Sequence, residues 1–200
     1  MKNIYRTSLI ALQFIGVFTL IGCGNNTDNT DKNVSDENTN TDIEVIKTVL
    51  EKNFNAPDET LISELYDPAN ATIIDQTSQE NSSSSKNSPN DLDKYLEDNY
   101  GAYFTDYGYE KFFTTSGVGL NYSVEADHAN YSITPDDISV VQDEDKPERY
   151  QFEVTVSYTD ANNEDNTSTI IGRVEMESEK INSLDINDDD GLLQEMMGNH

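Results

Sequence analysis

Apolar residues keep a helical beat through the first part of the chain and a two-residue beat after Gly117. Ile43, Ile46, Leu50 and Phe54 fall on one face at helical spacing, with Val45 and Val49 widening the stripe, and predict a helix capped at Asp42. Asn55-Ala56-Pro57 stops it, because Pro57 cannot continue a helix and disfavours helical geometry at Ala56. Leu61, Ile62, Leu65 and Tyr66 predict a short second helix, with Asp58 and Glu59 near its positive end and Asp67-Pro68 closing it. Leu92, Leu96, Tyr100, Tyr103 and Tyr107 share one face of a third, strongly patterned helix capped by Asp91, and Tyr95 and Phe104 extend that face. Gly101 inside it costs about 1 kcal/mol relative to alanine, so it implies close backbone approach or a kink. Gly108 breaks the helix, and the segment 109–114 adds a turn carrying Phe112 and Phe113.

Beyond Gly117 the longest alternation is Tyr150, Phe152, Val154, Val156 and Tyr158 against Gln151, Glu153, Thr155, Ser157 and Thr159, a strand with one buried face. Ile138–Val141 precedes it across a turn containing Pro147, and Ile170, Gly172, Val174 and Met176 follow it across the polar turn 160–166. A last strand over 180–187 brings Ile181 and Ile186. With Leu120–Val124 and Ala129–Ile133 leading in, the pattern predicts a meander of four to six antiparallel strands. Helices followed by strands read as α+β, N-terminal helices packed on a bent antiparallel sheet. That order of elements, with Tyr103-Phe104-Thr105-Asp106-Tyr107-Gly108-Tyr109-Glu110-Lys111-Phe112 and then Lys180-Ile181-Asn182-Ser183-Leu184, resembles the NTF2-like (cystatin-like cone) superfamily, and more particularly the NTF2-like lipoproteins of Gram-positive bacteria. The resemblance spans about 42–188 and implies a pocket between the helices and the concave face of the sheet.

Two stretches fall outside this order. The segment 69–90 holds Asn81-Ser82-Ser83-Ser84-Ser85 and reads as a mobile loop within the domain, with a lid as its functional alternative. Residues 189–200 read as an acidic, polar tail.

At the other end, Lys2 and Arg6 precede an apolar run from Leu9 to Leu20 that is interrupted by Gln13. A bilayer-spanning helix needs about 20 apolar residues, so the run reads as an export signal over 1–22. Leu20-Ile21-Gly22-Cys23 resembles the lipobox of bacterial lipoproteins. The resemblance implies cleavage between Gly22 and Cys23 and a diacylglyceryl thioether on the Cys23 sulfur, and hence palmitate-type acyl chains holding the protein on a cell membrane. The alternative is a secretory signal followed by a chance cysteine, or an uncleaved anchor. Cys23 is the only cysteine in the chain, so no internal disulfide forms even in an oxidising compartment. Residues 24–41 are nearly all Asn, Thr, Asp, Ser, Glu and Gly, and with Cys23 they read as a lipidated, disordered tether over 23–41.

The charge narrows the function classes. The chain has 12 Lys and Arg against 39 Asp and Glu; losing Lys2 and Arg6 with the signal leaves 10 against 39, a net of −29. Such a molecule has no attraction for nucleic acid and is repelled by anionic headgroups. It is expected to stand off the bilayer on the extracytoplasmic face, and a protein partner is expected to be basic.

No cofactor is implied. The two histidines, His128 and His200, are not at ligand spacing, and no phosphate loop or Gly-x-Ser-x-Gly elbow occurs. Asp185, Asn187 and Asp189 start like an EF-hand loop, but position six is Asp190 and position twelve is Met196, where a glutamate is required. No catalytic residues are assigned. The cone implied by the resemblance nominates Tyr103, Tyr107, Phe112, Tyr150 and Phe152 as pocket lining, with Asp106 and Asp127 as bases beside a tyrosine donor. The other reading makes the tyrosines core and the acids solvated. The expected function is a membrane-anchored extracytoplasmic lipoprotein acting as a non-enzymatic binding or assembly module of the envelope; the alternative is a small apolar ligand binder or ketosteroid-isomerase-like enzyme using the cone.

Overall fold

The computed structural model describes residues 32–68 and 91–198 of the chain. The expected signal over 1–22, Cys23, the Ser-rich loop over 69–90 and His200 lie outside the described residues.

Helix α1 runs Lys32–Phe54 and buries Ile46, Val49, Leu50 and Phe54 completely. It begins ten residues before Asp42, so 32–41 is helical where a disordered tether is expected, and Asp42 lies inside the helix instead of capping it. Docking supplies what propensity lacks. Tyr150 Oη donates to Asp42 Oδ2 at 2.9 Å, and Thr39 Oγ1 donates to Gln142 Oε1 at 3.4 Å. Helix α2, Glu59–Tyr66, is capped by Asp58, whose Oδ1 accepts from the N–H groups of Thr60 and Leu61, both at 3.0 Å.

The aromatic helix is shorter than its pattern. Helix α3 spans Asp91–Tyr100, continues as a 3₁₀ turn at Gly101–Tyr103, and stops where Phe104 forms a bridge with Ile181. The Thr105 N–H donates to the Ile181 carbonyl at 3.0 Å, a non-local bond that no helical periodicity announces. Helix α4, Asp106–Glu110, then restarts with Thr105 as cap and runs into a π-helical turn, Lys111–Thr115, that buries Phe112 and Phe113. Close backbone approach occurs at Gly108 and not at Gly101: a Cβ on Gly108 would sit 2.3 Å from the Ile181 carbonyl oxygen, whereas one on Gly101 would meet only the flexible Glu97 side chain.

Helix α5, Val118–Ala129, replaces the strand expected at Leu120–Val124. Its buried positions, Gly119, Tyr122, Ala126 and Ala129, step by three or four along a single face. Asn130 closes it at φ 58, a left-handed C-terminal residue. The sheet follows as a four-stranded antiparallel meander in sequence order: β1 Ser132–Gln142, β2 Arg149–Thr159, β3 Asp165–Glu177 and β4 Lys180–Asp188. β1 takes only Ser132 and Ile133 of the lead-in strand expected at Ala129–Ile133, Ala129 and Asn130 going to the end of α5 and its cap, and the sheet has four strands among the described residues, the lower end of the expected four to six. Register shifts at Pro135/Asp137, Ile171/Gly172 and Glu175/Met176 bend it.

One face of the sheet carries Tyr150, Phe152, Val154, Val156, Ile170, Val174, Met176, Ile181 and Leu184, all buried with the helices, while the alternate residues are mostly exposed. The fold is therefore α+β, with helices packed on one face of a bent antiparallel sheet. The expected polar tail is instead helix α6, Leu192–Gly198, whose Leu192 and Met196 enter the core at 1% and 0% exposure. Asp189 Oδ2 accepts from the Leu193 N–H at 3.0 Å and from Tyr122 Oη at 2.9 Å, and Tyr131 Oη donates to Glu195 Oε1 at 2.8 Å. Leu192 and Met196, one helical turn apart, place one face of this short helix in the core.

Candidate functional site

The five residues nominated for a cone pocket do not surround one cavity. Phe112 and Phe152 are core residues, 1% and 3% exposed. Phe112 stacks on Phe104 at 4.9 Å between ring centroids and meets Phe113 edge-on at 4.9 Å, while Tyr100 closes on Phe113 at 5.0 Å. These rings occupy the space between α3, the π-helical turn and the sheet. Tyr103 is half-buried against the same cluster. Asp106 and Asp127 are exposed, away from this interior.

Tyr107 and Tyr150 do come together, at a groove of about 560 Å³ between α4, the π-helical turn and strands β2 to β4. Tyr107 stands on its rim, 63% exposed, because the break at Phe104 turns it off the buried face of α3. Tyr150 contributes from a buried position. Along the walls Lys111 Nζ bonds Asp185 Oδ1 at 2.8 Å and Oδ2 at 3.1 Å, and Arg149 Nε bonds Glu175 Oε1 at 2.7 Å. Nothing in the local sequence joins Lys111 to Asp185 or Arg149 to Glu175; the first pair is brought together by α4 docking on β4, the second by the register of β2 on β3.

Elsewhere the polar chemistry is structural. Tyrosine hydroxyls donate to carboxylates across elements: Tyr95 to Asp58, Tyr122 to Asp189, Tyr150 to Asp42 and Tyr131 to Glu195. Burial, followed by the neighbouring carboxylate, pushes the phenols of Tyr95 and Tyr122 well above the ordinary tyrosine range, and Tyr150 rises for the same reasons. Tyr109, facing Glu97 and Asp93, is pushed up to about 12, burial again being the larger cause.

The phenols of Tyr95, Tyr122 and Tyr150 are neutral donors already committed to partners. The Tyr95 and Asp58 pair borders a cleft of about 310 Å³ with Lys52, Asn99 and Tyr100, yet Asp58 also caps α2 through its other oxygen. It is thereby occupied as a structural acceptor.

The acidic stretch 185–190 is likewise used by the fold. Asp188 Oδ1 accepts from the Asp190 N–H, Asp189 Oδ1 from the Gly191 N–H, and Asp190 Oδ2 from the Thr169 N–H. Among the described residues no group of three His, Cys, Asp or Glu side chains is placed to hold a metal ion, and no helix is long and apolar enough to cross a membrane. His128 pairs through Nε2 with Tyr66 Oη at 2.6 Å.

No protein-family model matches the chain, and no curated protein matches it in sequence. Among solved structures it is similar to a putative polyketide cyclase from Pseudomonas putida KT2440, at 19% identity over 32% of this chain and 54% of that one, with a TM-score of 0.27. The chain thus spans about half the length of that relative.

Proposed function

We propose that this chain is a lipid-anchored protein on the extracytoplasmic face of a cell membrane, expected to be Gram-positive, whose NTF2-like α+β domain is a non-enzymatic binding or assembly module of the envelope. The observation that carries the reading is the only cysteine of the chain standing at position 23, directly after Leu20-Ile21-Gly22 and a basic-then-apolar leader. A thioether needs a thiol, and the lipobox pattern requires one at that position. Two or more acyl chains at about 0.8 kcal/mol per buried CH₂ hold a domain on a membrane where a single chain is marginal.

Two features support the non-enzymatic part. The interior between helices and sheet holds the rings of Phe104, Phe112, Phe113 and Tyr100, where a small apolar ligand would need space. The acids near the expected pocket are exposed or tied to backbone and tyrosine donors. The charge supports a basic protein partner, drawn by the same field that excludes nucleic acid.

The test is metabolic labelling with an alkyne-bearing palmitate in a bacterial host, read by gel fluorescence and by the mass of the mature N-terminus. The expected result is label on the wild-type chain, none on Cys23→Ala, and a wild-type mature chain starting at an acylated Cys23. A mature protein with a free thiol at Cys23, or one fractionating with cytosol, overturns the reading.

A further inference from the structure

We propose that the groove beside α4 binds an uncharged oligosaccharide, with Tyr107 as its stacking platform and Arg173 as the donor that orients the sugar ring. This goes beyond membrane anchoring and does not depend on it.

The groove walls carry Lys111, Arg149 and Arg173 against Asp143, Glu175 and Asp185, a formal balance of zero within a chain of net −27. Five of those six groups already have partners. Lys111 is paired with Asp185 and Arg149 with Glu175, and Asp143 Oδ1 accepts from the N–H groups of Asp145 and Lys146 at 2.9 and 3.0 Å. Arg173 has no hydrogen-bond or ion-pair partner among the described residues, although Asp185 is its register neighbour on β4. Its guanidinium is exposed at the groove and presents five donors in a rigid plane, none taken up by a protein acceptor among the described residues.

Each feature of the groove excludes a class of ligand. An anion would meet the field of a strongly acidic molecule, and a cation would meet the unpaired Arg173. A wholly apolar ligand would bury Arg173, Gln151 and Asn182 without partners, which is costly. What fits is a neutral molecule bearing hydroxyls, which serve both as acceptors for Arg173 and the two amides and as donors to the spare lone pairs of Glu175 and Asp185. It also needs a flat C–H face to lie on Tyr107, the most exposed large hydrophobic side chain among the described residues. A pyranose ring has all of these. The groove, at about 560 Å³, is in the size range of small-ligand sites, roughly 300–1,000 Å³. The two ion pairs hold its walls in place before a ligand arrives, so little ordering is left to oppose binding.

The experiment is isothermal titration of the full chain, purified in a detergent without a sugar headgroup, with cellotetraose, chitotetraose and tetragalacturonate. At least one of the two neutral tetrasaccharides binds, and the acidic one does not. Tyr107→Ala and Arg173→Ala each weaken that binding at least about tenfold, the ratio that 1.4 kcal/mol represents. Arg173→Lys fails to restore it because the planar fork is lost. Tyr66→Ala, at an exposed aromatic on α2, leaves it unchanged. Tyr107 and Arg173 are both exposed, so thermal melts of the variants match wild type and separate lost binding from lost folding. Binding of neither neutral sugar, binding of the acidic one alone, or equal weakening by Tyr66→Ala overturns the proposal. Failure of Cys23 acylation would leave it standing.

Discussion

Single carboxylates in this protein act as joints. Asp58 accepts from the first turn of α2 through one oxygen and from the Tyr95 hydroxyl of α3 through the other, so one side chain both starts a helix and fixes its neighbour. Asp189 does the same for α6 and Tyr122. Asp58→Ala is expected to lower stability by about 2–3 kcal/mol, the sum of a lost cap and an orphaned, partly buried hydroxyl. Tyr95→Phe, which leaves the cap intact, should cost only about 1 kcal/mol. Urea titrations of both variants check the difference, and equal losses would show that the cap contributes nothing. The sequence places Asp58 at the positive end of α2, but neither its capping bonds nor its bond to Tyr95, 37 positions away, is legible there.

At the scale of elements, the segment from Tyr100 to Thr115 is decided by β4. A continuous amphipathic helix would satisfy local spacing, but the Phe104 bridge to Ile181 and the contact of Gly108 with the Ile181 carbonyl together favour a broken one. The break moves Tyr107 from the core to the rim of the groove. Because a Cβ at Gly108 would press on backbone and not on a flexible side chain, Gly108→Ala is expected to destabilise by about 1–3 kcal/mol despite alanine's better helix propensity. A thermal melt that rises instead would show that α4 does not lie this close to β4. Helix α6 teaches the converse lesson. Its sequence is too short to be helical by itself, and it is held by Leu192 and Met196 reaching a core built by residues far upstream.

For the whole molecule, tyrosine is the titratable residue of the core among the described residues. The phenols of Tyr95, Tyr100, Tyr122 and Tyr150 are raised above the ordinary value of 10.0, and Tyr109 is raised to about 12. The folded state therefore keeps protons that the unfolded chain releases near pH 10. Stability contributed by these groups is fully present below that pH and is lost as pH rises toward the folded-state values. The expected outcome is cooperative alkaline unfolding, with tyrosinate absorbance and loss of circular dichroism rising together above pH 10. Free titration of all tyrosines near pH 10 with the fold retained would contradict the buried phenol network.

Local chemistry determined much of this protein. Periodicity in Ile46, Leu50 and Phe54 and alternation in Tyr150 to Val156 set out a helical first part, a stranded second part and the buried face of each, because side chains repeat with the geometry of the backbone that carries them. Composition likewise set the acidic surface and left one thiol for the proposed anchor. What tertiary structure alone decided depends on distant partners: helix in place of strand at Leu120–Val124, the break at Phe104, the docking of α6, and the groove where Tyr107, Lys111 and Arg173 meet. In each case two or more local conformations are close in free energy, and burial against an element far along the chain selects between them.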